Sequence, residues 1–364
     1  MRNFLLGYTL ASQIGHTPTQ NNTHDLDRRN AMRYNEDTHF TPAARGNTMS
    51  ITKNRQSDQT LRSLTANAFP GRDVCRITEL TEGMFNAAYR IDFADGGASI
   101  LKIAAATQEG LLSNEINLMQ AEVAAMQLAY QHELPVARLQ YSDFTRTRCS
   151  GPYFFMEALP GRSLHSCQAE LDEEALRRVL FQVGELQRRT ASIHHPTFGL
   201  MGDSRRFDRL YDLIRFLFCN VLRDAAARSV ALPIDPDALL SLLERDQPVF
   251  DEVREASFVH WDMWEGNIFV HREQLSGVID WERAMWGDPF MDDRFRRASR
   301  HEAFLAGFGQ TAFTPSETRR ILWYDVFLYT TMITECTYRQ YEGGEAAWAW
   351  LRPLLTASWT ELNA

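Results

Sequence analysis

Three side chains that suit phosphoryl transfer fall within one short stretch, residues 257–282. Asp262 and Asn267 lie in an irregular loop between two apolar runs, and Asp280 follows a third apolar run. Moving a phosphoryl group requires one carboxylate to accept the proton of the acceptor hydroxyl and oxygen ligands to hold Mg²⁺ against the phosphates. Asn267 and Asp280 would supply those oxygens, which leaves Asp262 to face the acceptor. We expect the three to converge at the mouth of one hairpin.

The spacing of these residues is more specific than any one of them. A single Asp or Asn in a turn usually caps the backbone, and His260 by itself is best explained as a structural histidine. The pattern H-x-D-x₄-N, which Asp280 follows 13 residues later, is poorly explained by unrelated turns. Glu282 would point to the same face as Asp280 if that strand continues, and it would then assist the metal through water.

A lysine lies in an apolar strand well before this stretch. Lys102 stands between two apolar residues on either side, where burial is costly unless a carboxylate pairs with it. We predict a helix from about Ser113, and it offers two candidate partners on one face, Glu115 and Glu122, seven residues apart. A lysine held by such a glutamate can place its ammonium on nucleotide phosphates, whereas an unpaired lysine would face water at a sheet edge.

The elements that must position these residues change character along the chain. Alternation of apolar and polar residues predicts strands at 74–80, 87–93, 99–104 and 152–156. Apolar residues at helical spacing predict long helices after Gly161, at 172–189, 207–224 and 316–340. The sequence therefore predicts a small strand-rich N-lobe and a larger helical C-lobe, joined near residue 157.

The domain boundaries follow from these patterns. Residues 1–55 are rich in Asn, Thr, Gln, Arg and Asp without periodicity, and we expect a disordered extension there. Residues 56–157 would form a nucleotide-binding N-lobe. Residues 158–364 would form a C-lobe that carries the catalytic loop, the metal site and the substrate-binding helices, and a chain of 364 residues is long enough for both lobes.

Composition limits the partners of the protein. The net charge is −9, from 38 basic and 47 acidic side chains, which is the opposite of the bias in nucleic-acid-binding proteins. No apolar run is long enough to span a bilayer, and the first residues resemble a signal peptide only weakly. Five scattered cysteines without a C-x-x-C pair suit a reducing cytosol. We expect a cytoplasmic protein that binds neither nucleic acid nor membrane, and the oligomeric state is left open.

These motifs together resemble those of the aminoglycoside phosphotransferase and choline kinase-like superfamily, which shares the protein kinase fold. The resemblance runs from about residue 70 to about residue 300. It rests on the H-x-D-x₄-N pattern with Ile-Asp-Trp-Glu after it, and on segments that match the nucleotide loop, the lysine strand, the hinge and a Gly-Asp-Pro turn, at 80–86, 100–103, 153–157 and 287–289. It implies a bilobal α+β kinase-like fold and an enzyme that uses ATP and Mg²⁺.

The resemblance also implies a role for individual residues. Asp262 would be the catalytic base, and Asn267 and Asp280 would be the Mg²⁺ ligands. Lys102 would bind the α- and β-phosphates, with Glu122 as its partner on the helix. The remaining nucleotide contacts are assigned to residues of the loop and the hinge, Gly83, Asn86, Glu157 and Ala158.

Departures from the family pattern narrow the class of acceptor that we expect. The loop carries one glycine, Gly83, instead of G-x-G-x-x-G, which fits small-molecule kinases better than protein kinases. Asp280 is followed closely by Gly-Asp-Pro at 287–289, which leaves no room for the activation segment of a protein kinase. Trp261 stands where the family commonly has glycine, and with Trp264 it adds indole bulk near the acceptor side.

We therefore expect an ATP-dependent kinase that phosphorylates a hydroxyl of an amino sugar, an aminoglycoside-like compound or an amino alcohol. Acceptor contacts are expected from the helices at 207–224 and 316–340. The alternative is a nucleotide-binding pseudokinase that acts as a regulatory or scaffold module. Pseudokinases usually lack the catalytic aspartate, the metal aspartate or the lysine, and this chain has Asp262, Asp280 and Lys102.

Overall fold

The computed structural model describes residues 50–364 except Glu82, Met84, Ala298 and residues 341–343. The predicted extension at 1–55 therefore lies outside the described residues, apart from 50–55. That short segment contacts the N-lobe. The Thr52 hydroxyl donates to the backbone oxygen of Phe85, and the Asn54 side-chain amide donates to the backbone oxygen of Ala104. No described helix is long and apolar enough to cross a membrane.

A five-stranded antiparallel sheet forms the N-lobe, in the order β1-β2-β3-β5-β4. Its strands are β1 (Val74–Leu80), β2 (Ala87–Phe93), β3 (Ala98–Ile103), β4 (Leu139–Asp143) and β5 (Tyr153–Glu157). Helix α1 (Asp58–Ala68) packs Leu61 and Leu64 into a core with Ile91, Leu101 and Phe155. The four strands predicted from alternation agree with β1, β2, β3 and β5 to within one residue at each end.

Strand β3 has two different faces. Ser99, Leu101 and Ile103 are buried in the sheet, while Lys102 points to the opposite face, toward α2 (Leu118–Gln131). The prediction that this helix begins near Ser113 is wrong. Asn117 adopts a left-handed conformation with φ of 48°, which is incompatible with a helix passing through it. The backbone N–H and hydroxyl of Ser113 instead donate to Asp224 in the C-lobe, so the residues before α2 follow tertiary contacts.

Helices make up most of the C-lobe. They are α3 (Leu164–Cys167), α4 (Glu173–Ala191), α5 (Leu210–Ala227), α6 (Pro236–Arg245), α7 (Gln247–Phe250), α8 (Glu302–Phe308), α9 (Pro315–Arg339) and α10 (Gly344–Asn363). The predicted helices correspond to α4, α5 and α9. Asp172 caps α4, and Thr314 forms a capping box with Glu317 at the start of α9. Helix α5 begins later than predicted because Phe207 pairs with Phe198 in a β-bridge.

Two small sheets carry the loop with the candidate catalytic residues. In one, β9 (Ala256–Val259) pairs with β7 (His194–His195) and β12 (Met285–Gly287), and β12 also pairs with β8 (Gly199–Leu200). In the other, β10 (Ile268–His271) pairs with β11 (Gln274–Val278) and β6 (Arg162–Ser163). The strands on either side of the loop therefore belong to different sheets. Strands β10 and β11 form a hairpin, and the N–H of Ile279 donates to the backbone oxygen of Asn267 at its open end, beside Asp280. The loop that carries Asp262 leads into this hairpin from the other sheet.

Candidate active site

Lys102 is the centre of a buried ion cluster. Its Nζ lies 2.7 Å from Glu122 Oε2, 2.5 Å from Asp280 Oδ1 and 3.5 Å from Glu282 Oε2. Burial alone would lower the pKa of Lys102, but the neighbouring carboxylates raise that pKa well above its ordinary value. The side chain is therefore an ammonium that joins the N-lobe sheet, α2 and the segment after β11.

This cluster holds more acidic groups than basic ones. Three carboxylates share the one ammonium, and oxygens of Glu122, Asp280 and Glu282 all lie within 4.8 Å of one another. Burial raises the pKa of Glu122 to about 8, with the charge of Asp280 adding to it and Lys102 opposing it. Glu122 Oε1 and Asn86 Oδ1 are buried without a hydrogen-bond partner among the described residues. A divalent cation with oxygen ligands fits such a place, because it would favour the ionised form of the three carboxyl groups.

Asn86 brings the loop between β1 and β2 to this cluster. Its Nδ2 donates to Glu282 Oε2 at 2.7 Å, so an N-lobe side chain contacts the segment that carries Asp280. Gly83, in the same loop, is exposed, and a Cβ placed on it would meet no atom within 4 Å. The structure therefore places Asn86 in the cluster and Gly83 outside it.

Asp262 and Asn267 are held together by hydrogen bonds within their loop. Asn267 Nδ2 donates to the backbone oxygen of Asp262 at 2.8 Å, so the side-chain oxygen is the atom that Asn267 can offer to a cation. The backbone oxygen of Asn267 accepts from the N–H of Ile279 at 3.0 Å, which fixes the loop against the residue before Asp280. Burial raises the pKa of Asp262 to about 8, and the guanidinium of Arg283 opposes that rise.

His260 is completely buried beneath the loop. Its Nε2 donates to the backbone oxygen of Ile279 at 3.0 Å, and its Nδ1 accepts from the N–H of Asp262 at 3.2 Å. These two bonds require a neutral ring with its proton on Nε2. Burial accordingly lowers the pKa of His260 to about 4. His260 connects the loop of Asp262 to the segment of Asp280, in agreement with its interpretation as a structural residue.

Trp261 has a φ of 77°, a conformation that glycine adopts freely and other residues rarely do. Hydrogen bonds fix the backbone on both sides. The N–H of Trp261 donates to Asp292 Oδ2 at 3.0 Å, and its backbone oxygen accepts from the N–H of Asp293 at 3.1 Å. The indole is 5% exposed, and the Arg283 guanidinium lies 5.0 Å from a ring centre. A large buried side chain therefore fills the place where the family pattern has glycine.

A second buried cluster of alternating charges borders the first. Arg283 Nη2 lies 3.0 Å from Glu115 Oε1 and also contacts Glu335. Arg339 contacts Glu115, lies 3.4 Å from Glu335, and has its guanidinium 4.5 Å from the ring centre of Phe85. Glu115, the other candidate partner of the lysine, therefore precedes α2 and neutralises two arginines. Through Arg339 this cluster connects the end of α9 to the loop between β1 and β2.

The hinge residues lie apart from both clusters. A cavity of about 490 Å³ opens beside them, and its lining includes Arg90, Ala98, Glu157, Ala158 and Leu159. Ala98 lies on the same face of β3 as Lys102, because alternate residues of a strand share a face. The cavity therefore lies at the end of the face that carries the lysine. The N–H of Glu157 already donates to the backbone oxygen of Arg138 at 2.9 Å, so the backbone oxygen is the group that Glu157 offers to a ligand.

Sequence reasoning found most of these residues but missed the second cluster. Glu282 was expected to reach the metal if its strand continued, but β11 ends at Val278 and Asp280 has a φ of 68°. Glu282 nevertheless lies beside Asp280, because the turn brings both to the same ammonium. Arg283 gave no local signal, since its partners are 168 and 52 residues away.

Comparisons with known proteins were made on the sequence and on the fold. The sequence profile described as the phosphotransferase enzyme family matches residues 76–293, a range that includes Lys102, Asp262 and Asp280. A search of curated protein sequences finds no significant match.

Several solved structures share this fold. Aminoglycoside phosphotransferase APH(4)-Ia matches with a TM-score of 0.60 at 18% identity, covering 85% of this chain and 100% of that chain. A thermostable mutant of that enzyme in complex with AMP-PNP and hygromycin B matches with a TM-score of 0.58 at 18% identity, covering 84% and 99%. The ternary complex of APH(2″)-IIa with streptomycin and ATP matches with a TM-score of 0.52 at 13% identity, covering 85% and 96%. The predicted bilobal α+β kinase-like fold is confirmed.

Proposed function

This chain belongs to the phosphotransferase enzyme family, and on that basis we propose that it transfers the γ-phosphoryl group of ATP to a hydroxyl of a small molecule. The observation that carries the proposal is the position of Lys102. Its ammonium lies between Glu122 of the N-lobe and Asp280 of the C-lobe, and Asp262 and Asn267 are fixed against the same segment. These are the parts that phosphoryl transfer requires, since it depends on positioning and on charge stabilisation.

Lys102 supplies positive charge for the α- and β-phosphates. Glu122 is fully buried and holds the ammonium from the side of α2, so the lysine is oriented before ATP binds. Asn86 and Gly83 belong to the loop that would cover the phosphates. Adenine would occupy the cavity beside the hinge, where the backbone groups of Glu157 and Ala158 line the wall.

Asn267 and Asp280 are the proposed Mg²⁺ ligands, and the structure favours Glu282 as a third. Asp280 uses Oδ1 for Lys102, so Oδ2 is the oxygen that it offers. The side-chain oxygen of Asn267 is available because the nitrogen of that amide is bonded to Asp262. When bound, the cation neutralises charge that builds up on the phosphates during transfer. The close approach of three carboxyl groups, Glu122, Asp280 and Glu282, supports such a site.

Asp262 is the proposed base. Its backbone is fixed by His260 on one side and by Asn267 on the other. A carboxyl group with a pKa of about 8 is a stronger base, once ionised, than an ordinary aspartate. The acceptor hydroxyl gives its proton to Asp262 as its oxygen bonds to the γ-phosphorus. The bond from that phosphorus to the bridging oxygen of ADP breaks, and ADP leaves with the electron pair.

We propose an amino sugar, an aminoglycoside-like compound or an amino alcohol as the acceptor. The complexes of similar solved structures with hygromycin B and with streptomycin support this class, since both ligands are aminoglycosides. The excess of carboxylates around Lys102 also favours a cationic acceptor over an anionic one.

The test is ADP release by the purified protein with Mg·ATP and a panel of aminoglycosides, macrolides, choline, ethanolamine, homoserine and sugars. We expect release that depends on an amino sugar or amino alcohol, with the phosphorylated acceptor seen by mass spectrometry. The matched control is the same assay with EDTA. If Mg·ATP binds but no acceptor releases ADP, the transfer proposal fails and the pseudokinase alternative is favoured.

A further inference from the structure

We propose that Trp264 is a stacking platform for a ring of the acceptor and makes this enzyme selective for cyclic acceptors over open-chain ones. The inference rests on the proposed function and names the residue that would choose among its substrate classes. Its basis is the position of the indole relative to Asp262, the way the loop holds it, and its exposure.

Trp264 stands on the same side of the loop as the proposed base. It follows Asp262 by two residues, and the residue between them, Met263, is completely buried. The described segment 262–264 belongs to no helix or strand. Asp262 is partly exposed and Trp264 is exposed on either side of this buried methionine, so both side chains leave the chain on the side away from the core. An acceptor bound with its hydroxyl at Asp262 would therefore meet the indole next.

The loop holds the indole in one orientation. A Cβ on Gly266 would lie 2.2, 2.4 and 2.7 Å from the Cζ2, Cη2 and Cε2 atoms of Trp264, so the ring rests directly on the glycine backbone. The ring of His165 lies beside it, with 5.5 Å between ring centres and an angle of 53° between the planes. The backbone oxygen of Trp264 accepts from the N–H of Asn267 at 3.0 Å. Glycine is required at 266 because any side chain there would displace the indole.

Trp264 remains exposed although its ring is held against the loop. Its exposed fraction is 41%, and of the eight tryptophans, all of them described, it is the only one that is exposed. A single exposed apolar residue is ordinary on a protein surface. A rigidly seated indole two residues from the proposed base is different, because a fixed aromatic face can bind a flat partner at little cost in conformational entropy.

The flat face of the Trp264 indole favours an acceptor that contains a ring. The C–H groups on one face of a pyranose or aminocyclitol can cover the indole, and an ammonium substituent adds attraction to the electron-rich face. An open-chain amino alcohol has no such face and would leave most of the indole in water. The structure therefore favours the amino-sugar class of acceptor over the linear amino alcohols.

Steady-state kinetics of the full-length protein test this inference. The probes are kanamycin, glucosamine, the open-chain amine obtained by reducing glucosamine, and choline. Stacking on an aromatic ring is worth roughly 1 to 2 kcal/mol, so Trp264→Ala should raise KM for the cyclic acceptors about 10-fold. KM for ATP and kcat should change less than about twofold, which is a difference of under 1 kcal/mol. Trp264→Phe should fall between the wild type and Trp264→Ala.

Phe181→Ala is the matched control, since Phe181 has the same exposed fraction of 41% but lies on α4. We expect its kinetics to equal those of the wild type. If Trp264→Ala leaves KM for the cyclic acceptors unchanged, raises KM for ATP equally, or if the reduced glucosamine is used as well as glucosamine, the inference is overturned and the proposed function stands. If no acceptor releases ADP, the proposed function is overturned and the inference falls with it.

Discussion

Substitutions at Trp261 separate two opposing effects on stability. With a φ of 77°, the backbone at this residue carries strain, which for a residue with a Cβ is about 1 to 2 kcal/mol. The indole is 5% exposed, and removing such a buried side chain costs about 3 to 5 kcal/mol. Because the packing contribution is larger, we expect both Trp261→Gly and Trp261→Ala to be less stable than the wild type.

The difference between the two variants isolates the strain. Both lose the same indole, but alanine keeps a Cβ and the strain that comes with it, whereas glycine accepts a positive φ. We expect Trp261→Gly to be more stable than Trp261→Ala by about 1 kcal/mol. At an ordinary φ the order is the reverse, because glycine loses more chain entropy on folding, by roughly 0.5 to 1 kcal/mol.

Trp281 provides the matched control. It is completely buried, and it is not among the described residues with a positive φ. Trp281→Ala should therefore be more stable than Trp281→Gly. Urea unfolding followed by circular dichroism measures all four variants. If Trp261→Ala proves as stable as Trp261→Gly, the strain assigned to Trp261 is refuted, and if Trp261→Gly exceeds the wild type, the packing contribution of the indole is refuted.

Three further substitutions test individual parts of the site. The pKa of His260 is about 4, below its ordinary value, so the unfolded chain takes up a proton first as the pH falls. This group should lower the wild-type unfolding free energy by about 3 kcal/mol between pH 6.5 and 4. In His260→Asn this loss of unfolding free energy between pH 6.5 and 4, measured by urea unfolding at both pH values, should disappear. If the variant loses as much unfolding free energy as the wild type, His260 is not a buried neutral ring. Glu122→Gln replaces the buried carboxyl group that holds Lys102, so calorimetry should show Mg·ATP binding weakened about 10-fold. The exposed Glu133→Gln is its control, and equal affinities would contradict the assigned role. Glu335→Ala leaves two buried arginines with a single glutamate and should cost about 3 kcal/mol in unfolding free energy, against almost nothing for the exposed Glu345→Ala. A loss below about 1 kcal/mol would show that the second cluster is not needed for stability.

The sequence predicted four of the five strands of the N-lobe because their patterns are local, and β4 was not predicted. Helix α2 was placed too early, since Asn117 and the contact of Ser113 with Asp224 end the regular pattern before it, and such a contact is invisible in the sequence. Helices α1, α3, α6, α7, α8 and α10 were not predicted.

The candidate site was predictable where its residues are close in the chain. The spacing of Asp262 and Asn267 is local, and the structure places both in one loop. The helix pattern left both Glu115 and Glu122 as partners of Lys102, and the family resemblance favoured Glu122. In the structure Lys102 Nζ lies 2.7 Å from Glu122 Oε2. The expectation that the helices at 207–224 and 316–340 contact the acceptor stays a prediction, but one of their acids already has another role. Glu335, for example, is held by arginines and is not free to bind a substrate.

The proposed transfer depends on Asp262 as the base, so removing its carboxyl group is a direct test. Turnover by Asp262→Ala and Asp262→Asn should be measured with the best acceptor from the ADP-release panel, and Mg·ATP affinity should be measured by calorimetry on the same samples. We expect turnover to fall by about 10²- to 10⁴-fold, the usual contribution of a general base, while ATP affinity stays close to that of the wild type. Turnover near the wild-type rate in either variant would show that Asp262 is not the base.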